Sequence, residues 1–180
     1  MPIRRTGFTA IAAATLLVGA TAAVAAQSEA GTASPSSSTA TGVEHLHTQV
    51  DLPAGTWTST PLEVTLPRSG TYELEADVRG RLAGIPPINT YITARLWNVT
   101  SGTVVPTSER LVNQIIDTNG GDAEASGNQT APIGELIRVK KQTTIRLQAR
   151  RIDAVGTATV SQVFSDAHGY TSLRYERVGS

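Results

Sequence analysis

The sequence predicts an all-β domain of antiparallel sheets packed as a β-sandwich or barrel, behind an export signal. Three observations lead there. Apolar side chains recur at every second residue in several runs, turn residues punctuate those runs, and no clear amphipathic helix lies between them.

Residues 1–26 have the three-part layout of a secretory signal. Arg4 and Arg5 form a positive start, Phe8 to Ala20 is apolar or small, and Ala23-Val24-Ala25 offers small residues to a signal peptidase. The run Phe8 to Ala26 is also just long enough to span a bilayer, so an uncleaved anchor is the alternative. No Cys follows to carry a bacterial lipid. Phe8 sits one residue too late for the usual twin-arginine spacing. The general secretory route is therefore expected. It would place the mature chain outside the cell or on its surface, with no stable membrane insertion after cleavage. In residues 27–42, eight of the sixteen are Ser or Thr, and only Glu29 is charged. Such a segment buries too little apolar surface to offset its ordering entropy and reads as a disordered linker. The folded domain is expected over 43–180.

Within that domain Tyr72, Leu74, Ala76 and Val78 alternate with Glu73, Glu75, Asp77 and Arg79, which describes a strand with one dry face. Ile92, Ala94 and Leu96 alternate with Tyr91, Thr93, Arg95 and Trp97. Ile145, Leu147 and Ala149 repeat the pattern, as do Leu173 and Tyr175. Less regular strands are expected over 45–51, 56–66, 103–106, 110–116, 133–140 and 158–165. Leu111, Val112, Ile115 and Ile116 also fit one face of a short helix, and a strand is preferred. Pro67-Arg68-Ser69-Gly70, the Pro86-Pro87 stretch, Asn119-Gly120-Gly121-Asp122 and Asp166-Ala167-His168-Gly169 supply the turns.

Composition removes several function classes. The chain has 15 basic and 15 acidic residues, and loss of Arg4 and Arg5 would leave 13 basic. A near-neutral domain lacks the basic stripe that nucleic acid demands. It also lacks the charge for electrostatic docking on an anionic membrane. The absence of Cys excludes disulfides, a thiolate nucleophile and thiolate zinc sites. The domain must rely on its core, for which about 140 residues suffice.

The run Ser69-Gly70-Thr71-Tyr72-Glu73-Leu74 resembles the Gly-x-Tyr-x-apolar strand of the tumour-necrosis-factor and complement globular-head superfamily. The closing run Gly169 to Tyr175 looks like that superfamily's final strand. Tyr91 to Thr100 is similar to strands in secreted actinobacterial and phage structural proteins of this general type. The resemblance spans residues 45–178. It implies a compact jelly roll, commonly trimeric, that acts by binding rather than by catalysis. The collagen-like stalk that often precedes complement-type heads is absent, and the Ser/Thr-rich segment stands in its place.

Among candidate site residues, Tyr91, Arg95 and Trp97 share the outer face of one strand. Aromatic rings beside a guanidinium suit a protein interface or a sugar-stacking platform. Trp57 either joins that surface or plugs one end of the core. His45 and His47 fall on the same face of one strand, with Asp51, Asp166 and His168 as further donors if the strands lie together. The spacing is shared with cupins, but the Glu and the second motif of cupins are missing, so ordinary surface histidines are preferred. Asp117 to Asp122 is rich in oxygen ligands but lacks the spacing and distant Glu of an EF-hand. No Gly-x-Ser-x-Gly elbow is present, and nothing singles out a carboxylate pair. No cofactor is expected. The sequence points to a secreted, non-enzymatic structural or interaction module with a protein partner or itself, in the form of a homotrimer, as ligand. A carbohydrate-binding module and a metal-dependent enzyme at His45 and His47 are the alternatives.

Overall fold

The computed structural model describes residues 39–180; the expected signal over 1–26 and the linker up to residue 38 lie outside the described residues. Eleven strands follow: β1 (Thr41–His45), β2 (Val50–Asp51), β3 (Thr58–Leu66), β4 (Gly70–Gly84), β5 (Ile88–Asn98) and β6 (Thr103–Val104). The rest are β7 (Arg110–Asp117), β8 (Ala125–Val139), β9 (Thr143–Val155), β10 (Val160–Val163) and β11 (Ser172–Gly179).

Four antiparallel pairings, β1 with β11, β3 with β9, β4 with β8 and β5 with β7, make the chain one long ribbon doubled back on itself. The ribbon is wound so that β11 also pairs with β4 and β9 also pairs with β5. Two sheets result, β1-β11-β4-β8 and β3-β9-β5-β7, with β2, β10 and β6 at their margins. A doubled ribbon wound into two facing sheets is a jelly roll.

The alternation read from the sequence sets which face is dry. Tyr72, Leu74, Ala76 and Val78 from β4 are buried, and Ile92, Ala94 and Leu96 from β5 are fully so. They meet Ile145, Leu147 and Ala149 from β9 and Leu173 from β11 in one core. Each fully buried Leu or Ile contributes about 1.5–3 kcal/mol.

Two elements differ from the sequence expectation, and a third agrees with it for a reason the sequence hid. The strand expected over 45–51 is broken into β1 and β2, because its two neighbours, β11 and β10, are themselves separate strands. Strand β8 begins at Ala125, well before residue 133. Its first half is polar, and pairing along the whole of β4 holds it extended. Residues 110–116 do form a strand. Its helix-like pattern comes from a bulge: Ile92 pairs with Asn113 and Thr93 with Leu111, so Val112 is the extra residue and both Val112 and Asn113 turn inward.

Asn113 is fully buried and joins the sheets. Its amide donates to the carbonyls of Gly80 on β4 (3.1 Å) and Gly127 on β8 (2.7 Å). A Cβ on Gly80 would lie 2.9 Å from the Val112 side chain, so this close approach needs glycine.

Arg79 holds the place where β4 changes neighbours from β11 to β10. Its amide donates to Thr171 Oγ1 at 3.0 Å, and its carbonyl accepts from the Phe164 amide at 3.2 Å. Its guanidinium binds the Asp166 carboxylate and the Gly169 carbonyl. Phe164 lies beneath two guanidinium groups, 4.7 Å from Arg79 and 4.2 Å from Arg81.

Asn113→Ala strips the partner from two carbonyls, and a loss of about 1–3 kcal/mol is expected in urea unfolding. No change in the midpoint would mean that this bridge is dispensable. The Arg79 hydrogen bond, followed by the His168 amide, holds the Asp166 carboxyl below its ordinary 3.8. That contribution is present above 3.8 and lost as pH falls through the lower native value. Arg79→Met is expected to flatten the acid limb of stability, followed by urea midpoints from about pH 5 to about pH 2. An acid limb identical to that of the parent would contradict this assignment.

Candidate functional site

The outer face of the β3-β9-β5-β7 sheet gathers the side chains that the sequence singled out on β5. Pairing fixes their rows. Tyr91 stands between Gln114 on β7 and Ile152 on β9; Thr93 between Leu111 and Arg150; Trp97 between Val104 on β6 and Arg146 on β9. Arg95 is opposite Gln148. Both tryptophans are half-buried.

Trp57 immediately precedes β3 and belongs to this face rather than to the core. The Arg95 guanidinium lies 3.8 Å from the centre of the Trp57 ring and 5.3 Å from that of Trp97. Arg150 also lies over Trp57, at 4.5 Å. Each such contact at a partly exposed site is worth about 0.5–1 kcal/mol. Hydrogen bonds fix the planes: Arg95 Nε donates to Gln148 Oε1 (3.0 Å), and Gln148 Nε2 donates to Ser59 Oγ (3.1 Å). Arg150 pairs with Glu109 at 2.9 Å, and Arg146 pairs with Glu63. Burial lowers the Arg95 pKa from its ordinary value; Glu109 opposes this and Arg150 adds to it. A guanidinium remains charged under such a shift, so the site offers a fixed cation held among indoles.

The apolar end of the same face is open. Ile116 is 62% exposed and Leu111 53%. Ile116 and Val155 flank Asn89 in the row beyond Tyr91. The face thus grades from stacked Arg and Trp at one end to uncovered aliphatic side chains at the other.

The histidines lie elsewhere. His45 ends β1 and His47 lies just beyond it, so they share a side without sharing a strand. Leu46 between them is buried, and its amide donates to the Thr171 carbonyl at 2.8 Å. Tyr170 comes from the other end of the chain to meet both rings, a residue to which no sequence motif pointed. His168 sits in the turn before β11, its amide bonded to Asp166 Oδ1. Among the described residues, no three of His, Asp and Glu come together as a metal cage. Asp117 binds the Asn119 amide at 3.0 Å within the β7–β8 loop. No helix among the described residues is long and apolar enough to cross a membrane.

No protein-family model matches this sequence. No curated protein matches it. Among solved structures it is similar to a chain of the infectious bursal disease virus Gx strain, at 14% identity and a TM-score of 0.47, over 78% of this chain and 32% of that one. It is also similar to the infectious bursal disease virus VP2 subviral particle, at 14% identity and a TM-score of 0.47, over 78% of this chain and 33% of that one. The chain thus corresponds to about a third of the length of those viral proteins.

Arg95→Met keeps the stem and removes both the cation and its hydrogen bond to Gln148. It is expected to change the tryptophan emission and cost about 1 kcal/mol or less, since the site is partly exposed. An unaltered emission spectrum would show that Arg95 does not pack on the indoles in solution.

Proposed function

We propose that this chain is an exported, non-enzymatic structural or interaction module that meets a protein partner, or further copies of itself, through the outer face of the β3-β9-β5-β7 sheet. The observation that carries the reading is the preassembled cluster of Trp57, Arg95, Trp97 and Arg150. Aromatic and Arg side chains dominate the energetics of protein interfaces. Here they are already stacked and hydrogen-bonded, so little rotamer entropy remains to be lost on contact. The adjacent Leu111 and Ile116 would add dry area to the same contact. The form proposed for self-assembly is a homotrimeric head of the tumour-necrosis-factor and complement kind, on the resemblance carried by the runs Ser69 to Leu74 and Gly169 to Tyr175. Neither nucleic acid nor a membrane is proposed as partner, in keeping with the near-neutral charge.

Light scattering of the full-length chain over a wide concentration range tests the assembly. A species larger than a monomer is expected, weakened at least tenfold by Trp97→Ala or Ile116→Asp. A strict monomer at the highest concentration, together with no protein captured from its own culture medium by the parent but not by Trp97→Ala, would overturn the reading. A glycan array run with the same two proteins reports the competing carbohydrate-binding reading: a signal lost in Trp97→Ala would replace a protein partner with a sugar.

A further inference from the structure

We propose that His45, His47 and Tyr170 form a surface site for one borderline divalent metal ion, Cu²⁺ or Zn²⁺, in which the two imidazoles are the ligands and Tyr170 sets their planes. The site lies at the end of β1 and just before β11, and it does not depend on the function assigned to the Trp and Arg face.

The three rings form a compact triangle. Their centres are 6.5 Å apart for the two histidines, 5.3 Å for His45 and Tyr170, and 6.3 Å for His47 and Tyr170. A triangle of that size has a point about 3.5 Å from all three centres, and a metal–nitrogen bond of about 2.0 Å places an imidazole centre about 3.2 Å from the metal. The two imidazoles are therefore near ligating distance of a common point. They reach it by small rotations of two exposed side chains. The His45 and His47 rings are tilted by 55°, so they are not stacked face to face, which would turn their nitrogens away from a shared ion.

The backbone beneath the triangle is fixed. Leu46 is anchored in the core and its amide is bonded to the Thr171 carbonyl, so the residues on either side of Leu46 stay on one side of the chain. Tyr170 precedes Thr171 and meets both imidazoles edge-on, at 67° to each. That contact limits the rotamers of both rings before a metal arrives and lowers the entropy lost on binding. Imidazole suits copper, zinc and nickel, and among these copper binds such donors most tightly. Two nitrogen donors from the protein leave the remaining positions to water. The described residues supply no third His, Asp or Glu ligand, so a site that binds metal reversibly is inferred rather than a closed structural one.

Titration of the tag-free full chain with ZnCl₂ in a calorimeter, and with CuCl₂ under electron paramagnetic resonance, tests the site. One saturable equivalent is expected, with a copper spectrum showing two nitrogen donors. His45→Ala and His47→Ala should each weaken binding at least tenfold and leave one nitrogen, Tyr170→Ala should weaken it several-fold, and His168→Ala should leave it unchanged. All four positions are exposed, and circular dichroism establishes that each variant keeps its sheets. The proposal fails if the parent shows no saturable equivalent, or if His168→Ala weakens binding as much as His45→Ala.

Discussion

Strand β4 runs for fifteen residues and is paired along its entire length with β8, while its other side is shared between β11 and β10. A strand paired on both sides has no freedom to slip, since a shift of one residue would turn Tyr72, Leu74 and Val78 out to water. The remaining architecture accommodates the change of neighbour on that second side. Chain leaves the sheet between Phe164 and Thr171, and Arg79 recaptures both ends of the excursion with its backbone and the turn with its guanidinium. That capture fixes the excursion between β10 and β11, and β1 and β2 pair only with those two strands. The opposite sheet is tied to the same strand by Asn113, whose amide reaches Gly80 through the gap that a missing side chain leaves.

A scaffold pinned in this way sets the rows of side chains on the outer surface of the second sheet. One end of it is cationic and aromatic, and the three guanidinium groups there have defined partners: Arg95 on Gln148 and Trp57, Arg146 on Glu63, Arg150 on Glu109. The ion pairs are partly exposed, so each adds little to stability. Their effect is positional, holding long side chains in one geometry over the rings. That property suits the recognition role proposed for this face.

The histidine and tyrosine triangle follows from the same wrapping. Pairing of β1 with β11 brings the start of the domain beside its end, and the Leu46 bond to Thr171 continues that pairing past the last residue of β1. Side chains that meet there owe their meeting to the closure of the doubled ribbon, in which the first and last strands are neighbours by construction.

The sequence by itself determined the class of fold and most of the dry interior, because the period of two is a local property: a residue's face depends on its immediate neighbours along the strand. It also placed Tyr91, Arg95 and Trp97 on one wet face for that reason. Tertiary structure decided the rest. The polar half of β8 carries no hydrophobic rhythm and is a strand only because β4 lies alongside it. The bulge opposite Ile92 put two successive residues of β7 inside and gave the pattern a helical look. Trp57 joined the Arg95 face, and Tyr170 joined the two histidines, through pairings between segments far apart in the chain. Such contacts depend on which strand lies next to which, and local sequence does not encode that.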